Sequence, residues 1–307
     1  MIAKQIIKIT LNLTVICFFA GTILGLVNMG TQHAKEENQH KREVLTSMSL
    51  LGYGAGNPAP ADLKMDKISR YLLAVDGAPA LGYVIPAGQG QELIILSVEG
   101  GKLLSIPAPQ MENPEINQHL SQEMRRQVSE LTHVEDYRIA LLDGKVQGYL
   151  ITGNNLGFKA NIKMMVALNS DFSVRGIAIL ESEEDPGLGD EAKEPYFRNQ
   201  FAGKSAAQLA RISISKNPQP EEYRSLLESQ PEGHFTAEEM ENLRAVYGDS
   251  PIYSITGSTI SSTAVMVGVQ KAVGRFVYRL QQVNAALTAP SSSAPAPEAR
   301  EGEGEGV

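Results

Sequence analysis

The 24 residues from 9 to 32, ITLNLTVICFFAGTILGLVNMGTQ, contain no charged side chain. No other feature constrains the chain as much. A helix crosses bilayer hydrocarbon with about 20 apolar residues, and this run is long enough. The reading is one uncleaved transmembrane helix over 9–32, preceded by a short tail (1–8) that carries Lys4 and Lys8. A cleaved signal peptide is the competing reading. Its apolar core normally spans roughly 7–15 residues before a small-x-small cleavage site, and neither fits here. Ile16 before Cys17 also lacks the small residue expected of a lipoprotein site. Lys35, Lys41 and Arg42 follow the run among Glu36, Glu37 and Glu43 and do not orient the helix by themselves. Residues 33–62 read as a stalk and linker ending in the Gly/Pro-rich GYGAGNPAPAD.

Charge and cysteine content narrow the function classes. The 307-residue chain has a formal net charge of −8 and no basic cluster, which argues against a nucleic-acid partner. Cys17 is the single cysteine, so an intrachain disulfide and a Cys-ligated metal or iron–sulfur site are excluded. His33, His40, His119, His133 and His234 show no ligand spacing. Redox chemistry in this chain therefore requires an organic cofactor. Residues 288–307 include APSSSAPAPEAREGEGEGV, too small and polar to offset the entropy of ordering, and are expected to be a disordered tail.

Between anchor and tail the hydrophobic period changes from 2 to 3.6. Residues 63–136 read as a β-rich part. YLLAVDG and ALGYVIPA form a strand–turn–strand unit, ELIILSV and KLLSI pair across EGG, and a polar helix pattern covers 114–133. Residues 137–287 read as a second region, with strands DYRIALLDGKVQGYLITG, IKMMVALN and SVRGIAIL. Tyr71, Asp76-Gly77 and Gly82-Tyr83 recur at nearly the same spacing as Tyr137, Asp143-Gly144 and Gly148-Tyr149. This fits an internal duplication or two unrelated Asp-Gly hairpins. Helical patterns follow over AKEPYFRNQFAGKSAAQLA and over TAEEMENLRAVYG, where Thr236 and Glu239 have capping-box spacing. A last helix from about Ser262 to Leu287 carries an apolar stripe through Val265, Val269, Ala272, Phe276, Leu280 and Val283. The expected fold is α+β: an antiparallel sheet with packed helices, preceded by one N-terminal transmembrane helix.

Two loops hold the residues with chemical character. In ESEEDPGLGDE (181–191), Pro186, Gly187 and Gly189 make a tight turn that lets backbone approach a ligand, within a row of carboxylates. A solvated acidic turn explains the same residues, and the spacing is not that of an EF-hand. In SITGSTISSTAV (254–265), Thr256, Ser258, Thr259, Ser261, Ser262 and Thr263 surround Gly257 just before the last helix. A helix N-terminus suits phosphate, and the same hydroxyls suit turns and caps. The stretch lacks the P-loop lysine, the GxSxG elbow and a nearby histidine base.

The two loops in this order, some seventy residues apart and behind a membrane anchor, resemble the FMN-binding domain family. That family includes the G subunit of the Rnf electron-transport complex and the C subunit of the sodium-pumping NADH:quinone reductase. Glu184-Asp185-Pro186-Gly187-Leu188-Gly189 matches ETPGLG with Asp185 for Thr, and Thr256-Gly257-Ser258-Thr259-Ile260-Ser261 matches SGATxTS with Ser258 for Ala. Ser182 stands where the family often has His, and Tyr253 where it often has an acid. The resemblance covers roughly 137–280. It implies that Thr259 is the residue esterified to the FMN phosphate by a flavin transferase. It also implies FMN contacts from Thr256, Gly257, Ser258, Ser261, Glu184, Gly187, Leu188 and Gly189. No metal and no catalytic residue is expected. The implied role is an electron-carrying subunit of an Rnf-type ion-translocating complex, working with other membrane subunits. The chain would be single-pass in a bacterial inner membrane, with its flavin domain on the extracytoplasmic side. The quinone-reductase subunit is the nearest alternative. From the residues alone, a flavin-free membrane-tethered structural or binding module also remains.

Overall fold

The computed structural model describes residues 2–88, 90–228 and 235–288. His234 and, Thr288 apart, the expected C-terminal tail lie outside the described residues. The chain divides into two compact units, Met1–Ala59 and Pro60–Val307.

The first unit is built on α1, Ile2–Leu50, a continuous helix of 49 residues. At about 1.5 Å per residue it is roughly 73 Å long, more than twice the ~30 Å of bilayer hydrocarbon. Its N-terminal part displays Ile9, Leu13, Phe18, Phe19 and Leu24 outward. Within the uncharged run, the hydroxyls of Thr14, Thr22 and Thr31 donate to the carbonyls of Thr10, Phe18 and Val27 at 2.9, 2.8 and 2.8 Å. Those three polar groups are thus satisfied inside the helix, as a lipid environment demands. The helix continues without a break through the charged segment, where Glu37 and Lys41 pair one turn apart at 2.7 Å.

The second unit is organised by one antiparallel sheet in the order β4-β3-β2-β1-β5-β6-β7-β8. The strands are β1 Lys64–Val75, β2 Ala78–Ala87, β3 Gly90–Ser97, β4 Lys102–Pro107, β5 Val128–Leu142, β6 Lys145–Leu156, β7 Asn161–Leu168 and β8 Val174–Glu181. The order describes two four-stranded meanders joined back to back where β1 pairs with β5. Each begins with a two-residue Asp-Gly turn. Asp76 and Gly77 have φ of 51° and 77°, and Asp143 and Gly144 have φ of 50° and 73°. Positive φ at both positions is the type I′ geometry that matches strand twist. The likeness does not extend along the strands. Tyr71 faces Gly82, whereas Gly148 faces Ala140 across a hairpin interrupted by a bulge.

One face of this sheet is covered by α7, Thr259–Thr288. Val265, Val269, Ala272, Val273, Phe276, Leu280 and Val283 bury the expected stripe against Ile94, Tyr137, Tyr149, Ile151, Met164 and Val166. Glycines set the closest approach. A Cβ at Gly153 would lie 3.0 Å from the Gly268 carbonyl and from Ala272 Cβ. The opposite face of the first meander is closed by α2, Ile116–Met124, whose Ile116 and Leu120 meet Leu73, Val75, Val84, Leu93 and Ile95.

Three helices differ from their sequence patterns. The one expected over 114–133 stops at Met124 because Arg125 turns left-handed (φ 53°), and the β-branched stretch from Val128 pairs with β1 instead. The one expected over AKEPYFRNQFAGKSAAQLA is broken into 3-10 turns at Gly189–Lys193 and Asn199–Phe201, α3 Pro195–Arg198 and α4 Ala206–Arg211. Pro195 forces one restart, Gly203 at φ 81° ends another, and Ser205 with Gln208 forms a new capping box. The last helix begins at Thr259, not Ser262, because the Ser262 N–H already bonds the Ser258 carbonyl at 3.0 Å. The Thr236–Glu239 capping box is present and starts α6, Ala237–Tyr247. With α5, Glu221–Glu228, it forms an excursion between the short parallel strands β9, Ile214–Ser215, and β10, Ile252–Tyr253.

Candidate functional site

The two loops singled out from sequence meet in space. The first follows β8 and the second links β10 to α7, and they face each other across a cleft of about 510 Å³. Its walls include Phe158, Glu184, Leu188, Lys216, Tyr253 and the stretch from Ser254 to Ser261. That volume is within the roughly 300–1,000 Å³ of small-molecule sites.

Glu184 fastens the loops together. Its carboxylate is buried (6% exposed) and accepts the Lys159 N–H at 3.0 Å and, through a short hydrogen bond, the Ser261 hydroxyl. Glycine makes room for it on two sides. A Cβ at Gly189 would sit 2.6 Å from Glu184 Oε2 and 2.7 Å from Ser261 Oγ, and one at Gly157 would sit 2.5 Å from Glu184 Oε1. The second glycine of the turn is therefore required by packing, whereas Gly187 (φ 71°) is exposed and is required by backbone conformation. Leu188 projects from between them, 43% exposed, and a Cβ at Gly257 would approach its Cδ2 to 3.1 Å.

The hydroxyl-rich loop sorts into committed and free groups. The Ser258 hydroxyl donates to Ser261 Oγ at 2.9 Å, Ser261 to Glu184, Ser262 to the Ser258 carbonyl at 2.9 Å, and Thr263 to the Thr259 carbonyl at 2.7 Å. Ser262 Oγ also accepts the Ile255 N–H at 2.9 Å. The Ser258, Ser261 and Ser262 side chains are buried. The hydroxyls of Thr256 and Thr259 make no hydrogen bond among the described residues. Thr256 and Gly257 lie exposed, while Thr259 is half-buried at the first position of a 30-residue helix. The first turn of that helix contains no acidic residue of its own; the one carboxylate bonded to it among the described residues is Glu184 of the facing loop, through Ser261.

Four contributors went unread in the sequence. Phe158 and Ile260, 65% and 57% exposed, add apolar lining to the cleft along with Leu188. Lys216 is the one cation lining it among the described residues. Buried Gln200 clamps the strand that feeds the loop, accepting the Tyr253 N–H at 2.7 Å and donating to its carbonyl at 3.2 Å. A lysine directly after an alternating ISIS strand was the available signal for Lys216; nothing marked Gln200. The carboxylates of the acidic loop are mostly engaged: Asp185 pairs with Lys159 at 2.5 Å, Glu181 with Lys163 at 3.1 Å, and Asp190 with Lys193. Tyr196, which donates to Glu191 at 2.5 Å, has its hydroxyl pushed well above the usual range by burial and by that carboxylate. Among the described residues there is no His/Cys/Asp/Glu group fit to hold a metal.

The arrangement fits a flat nucleotide. An anionic end has a helix N-terminus and free hydroxyls, and an aromatic body has three exposed apolar side chains beside backbone left open by glycine. Residues 157–274 match the family described as FMN-binding domain. The G subunit of the Na(+)-translocating ferredoxin:NAD(+) oxidoreductase complex of Acetobacterium woodii is 30% identical over 43% of this chain and 50% of its own length. The G subunit of the proton-translocating ferredoxin:NAD(+) oxidoreductase complex of Clostridium ljungdahlii is 27% identical over 45% of this chain and 58% of its own. The chain thus spans about half the length of these curated relatives. Among solved structures, the C subunit of the Na(+)-translocating NADH-quinone reductase from Parabacteroides distasonis aligns over 68% of this chain and 80% of that one, with 16% identity and a TM-score of 0.34. NqrC from Shewanella oneidensis aligns over 52% and 64%, with 18% identity and a TM-score of 0.35.

Proposed function

We propose that this chain is a membrane-tethered flavoprotein that relays electrons as a subunit of an Rnf-type ion-translocating ferredoxin:NAD oxidoreductase complex, with FMN joined to Thr259. The observation that carries the assignment is the state of the Thr259 hydroxyl. It is half-buried at the start of α7, makes no hydrogen bond among the described residues, and lines the cleft that Leu188 and Gly189 also line. The match of residues 157–274 to the FMN-binding domain supports the cofactor, and the two G-subunit relatives support the complex. One of those relatives is named for sodium and the other for protons, so the coupling ion is left unassigned.

Bound FMN supplies one- and two-electron chemistry at its ring system. The chain's own residues bind and place it. Thr259 would give its Oγ1 to a new bond to phosphorus and release its proton, while the phosphoanhydride of an activated flavin nucleotide, brought by a flavin transferase, breaks and the other nucleoside monophosphate departs. The α7 N-terminus, where Thr259 stands, would hold the resulting anion. Glu184, bonded to Ser261 and to the Lys159 backbone, fixes the spacing of the two loops. Leu188, Phe158 and Ile260 supply apolar surface for the ring. A covalent tether keeps the cofactor in place on the extracytoplasmic side, to which the uncharged run of α1 anchors the domain. The experiment is to co-express the chain with a flavin transferase, denature it, and read flavin fluorescence on the separated polypeptide. Fluorescence travelling with the polypeptide supports the reading; a colourless polypeptide leaves the loop as a helix start only. An alkaline-phosphatase fusion after Leu287 tests the side: activity supports an extracytoplasmic domain, and inactivity beside an active cytoplasmic reporter contradicts it.

A further inference from the structure

The cleft has an unequal charge balance that the hydroxyl loop does not resolve. The buried Glu184 carboxylate already lies against the first turn of α7, bonded to Ser261. A phosphodiester on Thr259 adds a second negative charge at the same helix end. The helix offers about half an elementary charge there. Asp185 is neutralised by Lys159 outside this count. One cation remains. Lys216 lines the same cleft, is exposed, and has no ion pair among the described residues. Its backbone position is fixed next to the hydroxyl loop, because Ser215 pairs with Tyr253 and its carbonyl accepts the Ser254 N–H at 2.8 Å. Lysine is suited to this place as a flexible point charge that reaches a phosphate without a planar partner.

Resting on the flavin reading above, we infer that Lys216 is the counter-charge for the flavin phosphate, and that it makes the cleft prefer phosphorylated flavin over the dephosphorylated form. The α5–α6 excursion, which leaves the cleft at Lys216 and returns at β10, then has a functional consequence: Lys216 directly follows β9, whose pairing with β10 keeps it beside the loop that β10 feeds.

The test uses the full-length chain carrying Thr259→Val, in which binding is non-covalent, with and without Lys216→Gln or Lys216→Arg. FMN and riboflavin share the ring and differ only in the phosphate. Their binding is read by quenching of flavin fluorescence and, at millimolar ligand, by thermal shift. The expected result is an FMN preference that falls about two- to fivefold in Lys216→Gln, is retained in Lys216→Arg, and fades with added salt, as a single exposed charge contact should. Equal loss of both ligands, or no loss of either, overturns the inference. In a second arm with Thr259 intact, Lys216→Gln should slow covalent loading while leaving the midpoint potential of loaded protein unchanged. A shifted potential at full loading would place Lys216 at the ring and overturn the phosphate assignment. Failure of the flavin reading looks different: the Thr259-intact parent then gains no covalent FMN at all.

Discussion

The two meanders of the sheet start alike and end differently. Both open on an Asp-Gly turn with two left-handed residues, and both run through four antiparallel strands. After the fourth strand of the first, the chain passes Pro107 and closes with the nine-residue α2 over an apolar patch. After the fourth strand of the second, it enters the glycine turn that seats Glu184 against Ser261. The difference lies in the partner that arrives. α7 crosses the shared face with its N-terminus at the second meander's exit loop and its Gln282 side chain against Gly100, in the turn between β3 and β4. The two ends of one helix thus lie at different points of the sheet, its N-terminus at the exit of β8 and its Gln282 end at the β3–β4 turn, and only the N-terminus suits an anion. The two meanders share strand order and opening turn only; the chemistry follows the helix.

The sharpest way to break this comparison is at the glycines under α7. Gly153→Val should cost about 3 kcal/mol, because the added carbons meet the Gly268 backbone and Ala272. In the first meander, Gly82→Ala should be close to neutral, since a Cβ there meets Leu73 and Tyr71 at an ordinary 3.4 Å. Urea unfolding of both variants decides it. Similar costs would mean that α7 does not press on the second meander as described.

Next in size is Gly189→Ala, where the methyl group would press on both Glu184 and Ser261. It should cost roughly 2 kcal/mol and reduce covalent flavin loading. Gly187→Ala, strained only by its φ of 71°, should cost about 1 kcal/mol and leave loading largely intact. Loading that responds equally to both would contradict the claim that Gly189 acts by packing. The turns offer a symmetric control. Gly77→Ala and Gly144→Ala, both at positive φ with open space around them, should each cost about 1 kcal/mol. A clear inequality in thermal melts would show that the two hairpins are not alike even at their turns.

The smallest effect belongs to the seam between meanders. Asp136 faces Ser69 there and takes its hydroxyl hydrogen bond at 2.7 Å, with His133 at 2.9 Å and Lys67 at 3.5 Å. Burial opposes ionisation, yet the hydrogen bonds from His133 and Ser69, with Lys67, hold the carboxyl below the usual range. A depressed folded-state pKa contributes stability that is present above the unfolded value of about 3.9 and is lost as pH falls through the folded one. Asp136→Asn should thus cost about 0.5 kcal/mol at pH 7, discounted for exposure, and less near pH 3. A cost that grows on acidification would contradict the sign.

What the sequence disclosed follows the range of each interaction. Asp-Gly turns, the α7 stripe and the Thr236–Glu239 box are local, and each is found where its residues stand. The helix pattern over 114–133 ran too far because it cannot register that Val128 onward has a strand waiting in β1. The joining of the two loops depends on Glu184 reaching Ser261, 77 residues later, and on Gly157 and Gly189 being small where Glu184 needs space. No periodicity records such contacts. Phe158, Gln200 and Lys216 escaped notice for the same reason: each is defined by what α7 and β10 bring to it.

The central claim is that one hydroxyl in a crowded loop, Thr259, carries the flavin while its neighbours hold the loop. Peptide-resolved mass spectrometry of the full chain, co-expressed with a flavin transferase as parent and as Thr259→Val, tests it most directly. The account predicts one adduct with the mass of FMN less water on the peptide containing Thr259, and none anywhere in the variant. A folded parent without the adduct, or an adduct that persists in Thr259→Val, would contradict it.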